Sequence, residues 1–206
     1  VRLHKTIDLI GSASSALGLI DFDYSLDNER TLSLSELDFV IIDMEHAPFD
    51  VERLREFLLG MTNKREIMAR GNLQPNVTPI VRIPATGGSE VITQVKQVLD
   101  VGVFGVMFPS VDNREEAENA IKAMRYPQLI GATDFEPRGL RGRNPANASW
   151  YWGIADYHQK ADVWPLDAEG ELLAIIQIET PEGVGNIEDI LSVPGVGAIF
   201  IGPADL

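Results

Sequence analysis

Three short stretches carry the residues with chemistry to offer. Phe39 to Phe49 reads F-V-I-I-D-M-E-H-A-P-F, an apolar run that passes directly into Asp43, Glu45 and His46. Gln177-Ile178-Glu179-Thr180 and Gly202-Pro203-Ala204-Asp205 end two later apolar runs in the same way. His46 is the natural acid or base, because an imidazole titrates near neutrality. Asp43, three positions earlier, is suited to orient its ring and stabilise its charge. A lone His at a strand end is more often structural, but the company of Asp43 and Glu45 tips His46 toward chemistry. Glu45 itself is left without a role, and His4 and His158 read as ordinary. Glu179 and Asp205 lie about one strand-helix-strand period apart, which makes them neighbours at one end of a parallel sheet. Two carboxylates brought together repel unless a cation or a proton lies between them. Oxygen ligands without Cys suit a hard divalent ion such as Mg2+ or Mn2+, although each carboxylate would serve as well as a helix N-cap. Arg82, in T-P-I-V-R-I, carries a charge at the mouth of an apolar run and needs a partner there. That partner is one of the carboxylates, or a substrate carboxylate or developing oxyanion. Arg138, Arg141 and Arg143 occupy a Gly-rich turn and read as solvated, with the capacity to steer an anion.

Elements must bring these residues to one end. Phe39 to Ile42, Thr78 to Ile83, Gly102 to Phe108, Leu172 to Ile178 and Val196 to Ile201 are short apolar runs without polar alternation, the pattern of strands buried on both faces. Helices are expected between them. One follows Asp50 as N-cap, with Val51, Leu54, Phe57, Leu58 and Met61 on one face. Others are expected over Gly87 to Val101, over Asn113 to Met124 with acidic Glu115 and Glu116 in the first turn, and over Gly185 to Ser192. Leu9 to Ile20 reads as a first strand followed by a loop, and Thr62 to Asn76 as an extended connection. Leu129 to Gly142 reads as a short strand and a turn, and Ile154 to Ala161 as a helix. The segment Asn144 to Glu171 holds all three Trp and two of the four Tyr, and suggests an interface or a lid.

Repeated β-α units favour a closed (β/α)8 TIM barrel over a doubly wound sheet, and no Gly-rich nucleotide signature follows an early strand. Such a barrel usually takes about 250 residues. The 206 residues are therefore expected to form one domain, 1–206, that lacks the last strand and C-terminal helix. The absence of Cys excludes disulfides, thiolate metal sites and a Cys nucleophile. The formal net charge of −14 argues against a nucleic-acid partner, which needs clustered Lys and Arg. No run reaches the roughly 18 apolar residues of a membrane span, and no signal peptide is recognised, so a cytoplasmic protein without a membrane partner is expected.

The stretches 39–48, P-I-V-R at 79–82, Q-V-L-D-V-G at 97–102, R-Y-P at 125–127, R-G at 138–139, Q-I-E-T at 177–180 and F-I-G-P-A-D-L at 200–206 occur in a familiar order. With them the chain resembles the HpcH/HpaI class II pyruvate aldolases, hydroxy-keto-acid aldolases that include macrophomate synthase-like enzymes. The resemblance implies a (β/α)8 barrel, a divalent metal (Mg2+, Mn2+ or Co2+), and interconversion of a 4-hydroxy-2-oxo acid with pyruvate and an aldehyde by way of a metal-held enolate. It implies Glu179 and Asp205 as metal ligands and Gln177 lining the pyruvate site. Arg82 would stand on the pyruvyl oxygen, and backbone N–H groups around Ala204 and Asp205 on the pyruvate carboxylate. His46, oriented by Asp43, would be the general base. It further implies a homo-oligomer, trimer or hexamer, in which the C-terminal helix packs on a neighbouring subunit. Met44 stands where the common family pattern has Gly, which marks it for substrate specificity. No Lys stands at a strand mouth among these motifs, against a Schiff-base aldolase. The alternatives are an oxaloacetate decarboxylase, a CoA-thioester lyase of citrate or malate type, and an oxo-acid-binding barrel without turnover. The acidic balance disfavours the second, and the set Asp43, His46, Arg82, Glu179 and Asp205 disfavours the third.

Overall fold

The two faces of every central strand are apolar for different reasons, and the computed structural model shows what each face meets. It describes residues 1–85, 89–144 and 146–206. In chain order the elements are α1 (Lys5–Gly11), β1 (Gly18–Asp21), α2 (Leu26–Ser33), β2 (Phe39–Asp43), α3 (Val51–Gly60), α4 (Lys64–Arg70) and β3 (Thr78–Arg82). They continue with α5 (Ser89–Val101), β4 (Gly105–Phe108), α6 (Arg114–Met124), α7 (Ala146–Trp152), α8 (Tyr157–Lys160) and β5 (Val163–Trp164). The last are β6 (Leu172–Ile178), α9 (Pro181–Gly185), α10 (Ile187–Leu191) and β7 (Ala198–Ile201). Side chains close several helix starts: Asp50 accepts from the Arg53 amide at 3.0 Å, and Asn113 from the Glu116 amide at 3.0 Å.

All the described pairings are parallel, in the order β1-β2-β3-β4-β6-β5. β7 pairs β6 further along the edge that β5 occupies. Alternation along each strand sends Val40, Ile42, Val81, Val106, Ala174 and Ile176 into one buried cluster with the helices, including Leu54, Phe57, Val98 and Ile121. The intervening residues Ile41, Ile80, Met107, Leu173 and Ile175 form a second cluster on the other face. Gly18 to Ile20 of β1 and Ala198 to Phe200 of β7 line the same cavity of about 330 Å³ with Ile41, Ile80 and Met107. The sheet therefore curls around its own concave face. This is an α/β protein with a curled parallel sheet and helices outside, the coarse form of the expected architecture.

α1 crosses the end of the sheet where strands begin. Its Ile7 joins the concave cluster. The Lys5 ammonium donates to the Leu37 and Asn76 carbonyls, each at 3.2 Å, just before β2 and β3. The His4 amide donates to Glu171 at 2.9 Å, just before β6. The His4 ring is fully buried and accepts from the Ile7 amide. Burial, with the charge of Arg2 second, lowers its pKa to about 3.

Several expectations change. The first strand is not at Leu9: α1 runs through Gly11 and β1 starts at Gly18. The connection after α3 contains a helix of its own, α4, capped by Asn63. No strand forms over 129–142. The expected start of α5 at Gly87 lies outside the described residues. The Trp-rich segment does not cover the mouth. Trp152 stacks on Phe104 at 4.4 Å and donates to the Gly102 carbonyl at 2.7 Å, both ahead of β4 and so at the opposite end. Arg141 is buried rather than solvated; it donates to Asp100 at 2.9 Å and Tyr157 at 3.0 Å and lies over the Tyr126 ring. Arg138 is exposed.

Candidate active site

The concave face changes character at the C-terminal ends of its strands. Register pairs Ile41 with Ile80 and, two residues on, Asp43 with Arg82. Arg82 pairs with Met107, Met107 with Ile175, and Gln177 follows Ile175 by one pleat. Hence Asp43, Arg82 and Gln177 stand above an apolar floor, with Glu179 just beyond. All four are buried.

Arg82 Nε donates to Asp43 Oδ1 at 2.7 Å, and Arg82 Nη1 lies 3.2 Å from Glu45 Oε2. Burial opposes ionisation of Asp43, but the Arg82 hydrogen bond and the Glu45 amide outweigh it, and its pKa falls below the ordinary carboxylate value. Burial likewise works against the charge on Arg82, and Asp43 and Glu45 more than restore it, so its pKa rises. Glu45 moves the other way. Burial raises its pKa; Arg82 and His46 pull it down, Glu179 and Asp43 push it up, and the net shift is upward.

Asp43 does not face the imidazole. Its oxygens accept the backbone N–H groups of Glu45 and His46, each at 3.2 Å, and so shape the turn rather than the ring. The ring Nε2 of His46 lies 3.8 Å from Glu45 Oε2, and its side chain is two-thirds exposed at 66%. Glu45, passed over in the sequence, is thus the carboxylate between Arg82 and His46. Met44 faces away from the site into the helix-covered core, and its amide donates to the Arg82 carbonyl at 2.9 Å.

Glu179 Oε1 accepts the Ser110 amide at 2.8 Å and the Ser110 hydroxyl at 2.7 Å; Gln177 Nε2 donates to Oε2. Gln177 Oε1 is buried without a partner. Gly202 follows β7, and its amide donates to the Ile178 carbonyl at 2.9 Å. A Cβ there would meet Glu179 Oε2 at 2.9 Å, so only glycine lets the chain pass this close. Ala204 and Asp205 lie exposed in the turn beyond it. The structure thus brings Asp43, Arg82, Gln177 and Glu179 together and leaves His46, Ala204 and Asp205 at the rim. Among the described residues no three of His, Asp and Glu converge as a metal cluster. What they do offer a hard cation is a buried carboxylate, an orphaned amide oxygen and a glycine cradle, with Asp205 three residues past that cradle. This oxygen-only donor set fits Mg2+ or Mn2+.

Ser110 and Tyr24, whose hydroxyl donates to the Asp43 carbonyl at 2.5 Å, were not expected from the sequence. Ser110 carried one signal: it follows the Phe108-Pro109 that closes a strand.

Residues 27–206 match the family model described as HpcH/HpaI aldolase/citrate lyase. The chain belongs to this family. It is 37% identical over 171 residues to a 4-hydroxy-2-oxo-heptane-1,7-dioate aldolase of Shigella boydii serotype 18, covering 82% of this chain and 53% of that relative. It is 30% identical over 178 residues to a 5-keto-4-deoxy-D-glucarate aldolase of Escherichia coli O139:H28, covering 86% and 57%. The chain thus spans little more than half the length of these HpcH/HpaI relatives. A solved HpcH/HpaI aldolase/citrate lyase family protein from Burkholderia cenocepacia J2315 superposes with a TM-score of 0.71 at 31% identity, over 93% of this chain and 66% of that one. Among the described residues no helix is long and apolar enough to cross a membrane.

Proposed function

We propose that the protein is a divalent-metal-dependent class II aldolase that cleaves or forms a 4-hydroxy-2-oxo acid, with pyruvate and an aldehyde as the partners, on a (β/α)8 barrel. The observation that carries this reading is the ionic layer Asp43–Arg82–Gln177–Glu179 standing on an otherwise apolar concave face. The aldolase names of two relatives support it.

Breaking the C3–C4 bond of such an acid leaves negative charge on the 2-oxo oxygen. Glu179 and Asp205 would hold the cation, which would supply Lewis-acid stabilisation to the oxo acid. Arg82, fixed through Nε by Asp43, donates to the developing oxyanion without having to reorganise. Gln177 lines the pyruvyl end, and backbone N–H groups near Ala204 and Asp205 receive the carboxylate. His46, exposed at the rim, takes the proton from the 4-hydroxyl group as the C3–C4 bond breaks and passes it to C3 of the enolate to give pyruvate; the synthetic direction runs the same transfers in reverse. Asp43 serves His46 through the main chain of the turn, and Glu45 serves it through the ring.

The test is pyruvate release from 4-hydroxy-2-oxo acids with Mg2+ or Mn2+, with and without EDTA, in the wild type and in Glu179→Ala. The expected result is loss of turnover on either treatment. Release indifferent to both would overturn the metal mechanism, and consumption of oxaloacetate without aldol cleavage would favour a decarboxylase.

A further inference from the structure

We propose that Ser110 is a positioning residue that fixes the Glu179 carboxylate for its cation; this rests on the ligand role proposed for Glu179. β4 ends at Phe108, and Ser110 then adopts a φ of 53°, the left-handed region that a non-glycine residue enters at a cost. That conformation turns its main-chain N–H and its hydroxyl toward one atom, Oε1 of Glu179. Glycine would accept the same backbone without strain but would supply only the N–H. The strain is therefore tied to keeping the hydroxyl.

The loop that carries Ser110 is fastened to the end of β6 on both sides of Glu179. The Val111 amide donates to the Gln177 carbonyl at 3.4 Å, Thr180 Oγ1 donates to Asp112, and Asn186 Nδ2 donates to the Asp112 carbonyl at 2.8 Å. Ser110 cannot drift from Glu179 without breaking this lacing. Glu179 lies within electrostatic reach of both Glu45 and Arg82, which pull its carboxylate in opposite senses. Two donors on Oε1 and Gln177 on Oε2 hold the carboxylate in one orientation before any cation arrives. Outer partners of this kind commonly change metal affinity by 10- to 100-fold when removed.

The experiment uses the whole protein freed of metal. Mn2+ affinity is read from the electron paramagnetic resonance of free Mn2+ in the wild type, Ser110→Gly, Ser110→Ala and Glu179→Ala, and thermal unfolding is followed in EDTA. Both Ser110 variants are expected to bind Mn2+ roughly tenfold more weakly. Ser110→Gly should unfold in EDTA no earlier than the wild type, since relief of strain offsets the lost hydroxyl. Wild-type Mn2+ affinity in both Ser110 variants, beside a defective Glu179→Ala, overturns the role of Ser110 and leaves the metal reading standing. Earlier unfolding in EDTA with unchanged affinity overturns it as well, by making Ser110 merely structural. Undiminished Mn2+ binding by Glu179→Ala, or none by the wild type, overturns both proposals.

Discussion

At the scale of single residues, the Asp43–Arg82 pair decides what the site can tolerate. Both partners are buried; without Asp43 the guanidinium keeps Glu45 as a partner, but without Arg82 the Asp43 charge is left uncompensated. Arg82→Ala should lose about 3–5 kcal/mol of stability at neutral pH, measured by denaturant unfolding, and Asp43→Ala less. The pair also sets a pH limit. A carboxyl whose folded pKa is lowered contributes stability that is in place above its unfolded value, near pH 4, and disappears as pH falls through the lower folded value. The sequence made Asp43, His46 and Arg82 visible because ionisable residues at the end of an apolar run have no packing explanation. It could not say which oxygen would meet which nitrogen. Asp43 goes to Arg82 and to backbone amides, and Glu45 goes to the imidazole, because backbone N–H groups of a tight turn outcompete a side chain for a carboxylate beneath them.

At the scale of elements, α1 and the Trp-rich segment are both devices of the end opposite the site. His4 caps α1 while buried, and its pKa of about 3 lies below the unfolded value of 6.5. Between those values the unfolded chain binds a proton that the folded chain does not. Stability should therefore fall as pH drops from 6.5 toward 3, by about 1.4 kcal/mol per pH unit from this residue. His4→Asn keeps a capping side chain, and its unfolding free energy should depend less steeply on pH over that range. Trp152→Ala should cost roughly 3–5 kcal/mol in denaturant unfolding while leaving the KM for the oxo acid unchanged. The strands β2, β3, β4, β6 and β7 were legible as uninterrupted apolar runs. α1 was not, because K-T-I-D-L-I-G is too short to show a helical period and its helix is held by capping and by contacts far along the chain. Nor could aromatic composition tell a packed buttress from a lid, since both call for large flat side chains; only the positions of Phe104 and Gly102 separate them.

At the scale of the whole molecule, a cation held by Glu179 after β6 and Asp205 after β7 would join two neighbouring strands. Because the unfolded chain offers no such site, saturating Mn2+ should raise the melting temperature and EDTA should reverse the rise. At a hundred times Kd the gain is about 2.7 kcal/mol, checked by thermal unfolding across a metal titration. The curled parallel sheet itself was legible from the alternation of apolar runs with helical spacing. Its concave wall was not, because an apolar residue facing helices and one facing the interior look the same in a sequence. That wall constrains how the protein can change over generations. Ile41 and Asp43, Ile80 and Arg82, and Ile175 and Gln177 are each one pleat apart on the same side of a strand. Inserting a single residue into β2 ahead of Asp43 would turn the carboxylate toward the helices and an isoleucine toward the substrate, spoiling core and site in one event. Insertions between strands and helices carry no such double penalty. Lineages of this fold should therefore vary in loop length while strand lengths ahead of the ionic layer stay fixed, or shift only by pairs of residues.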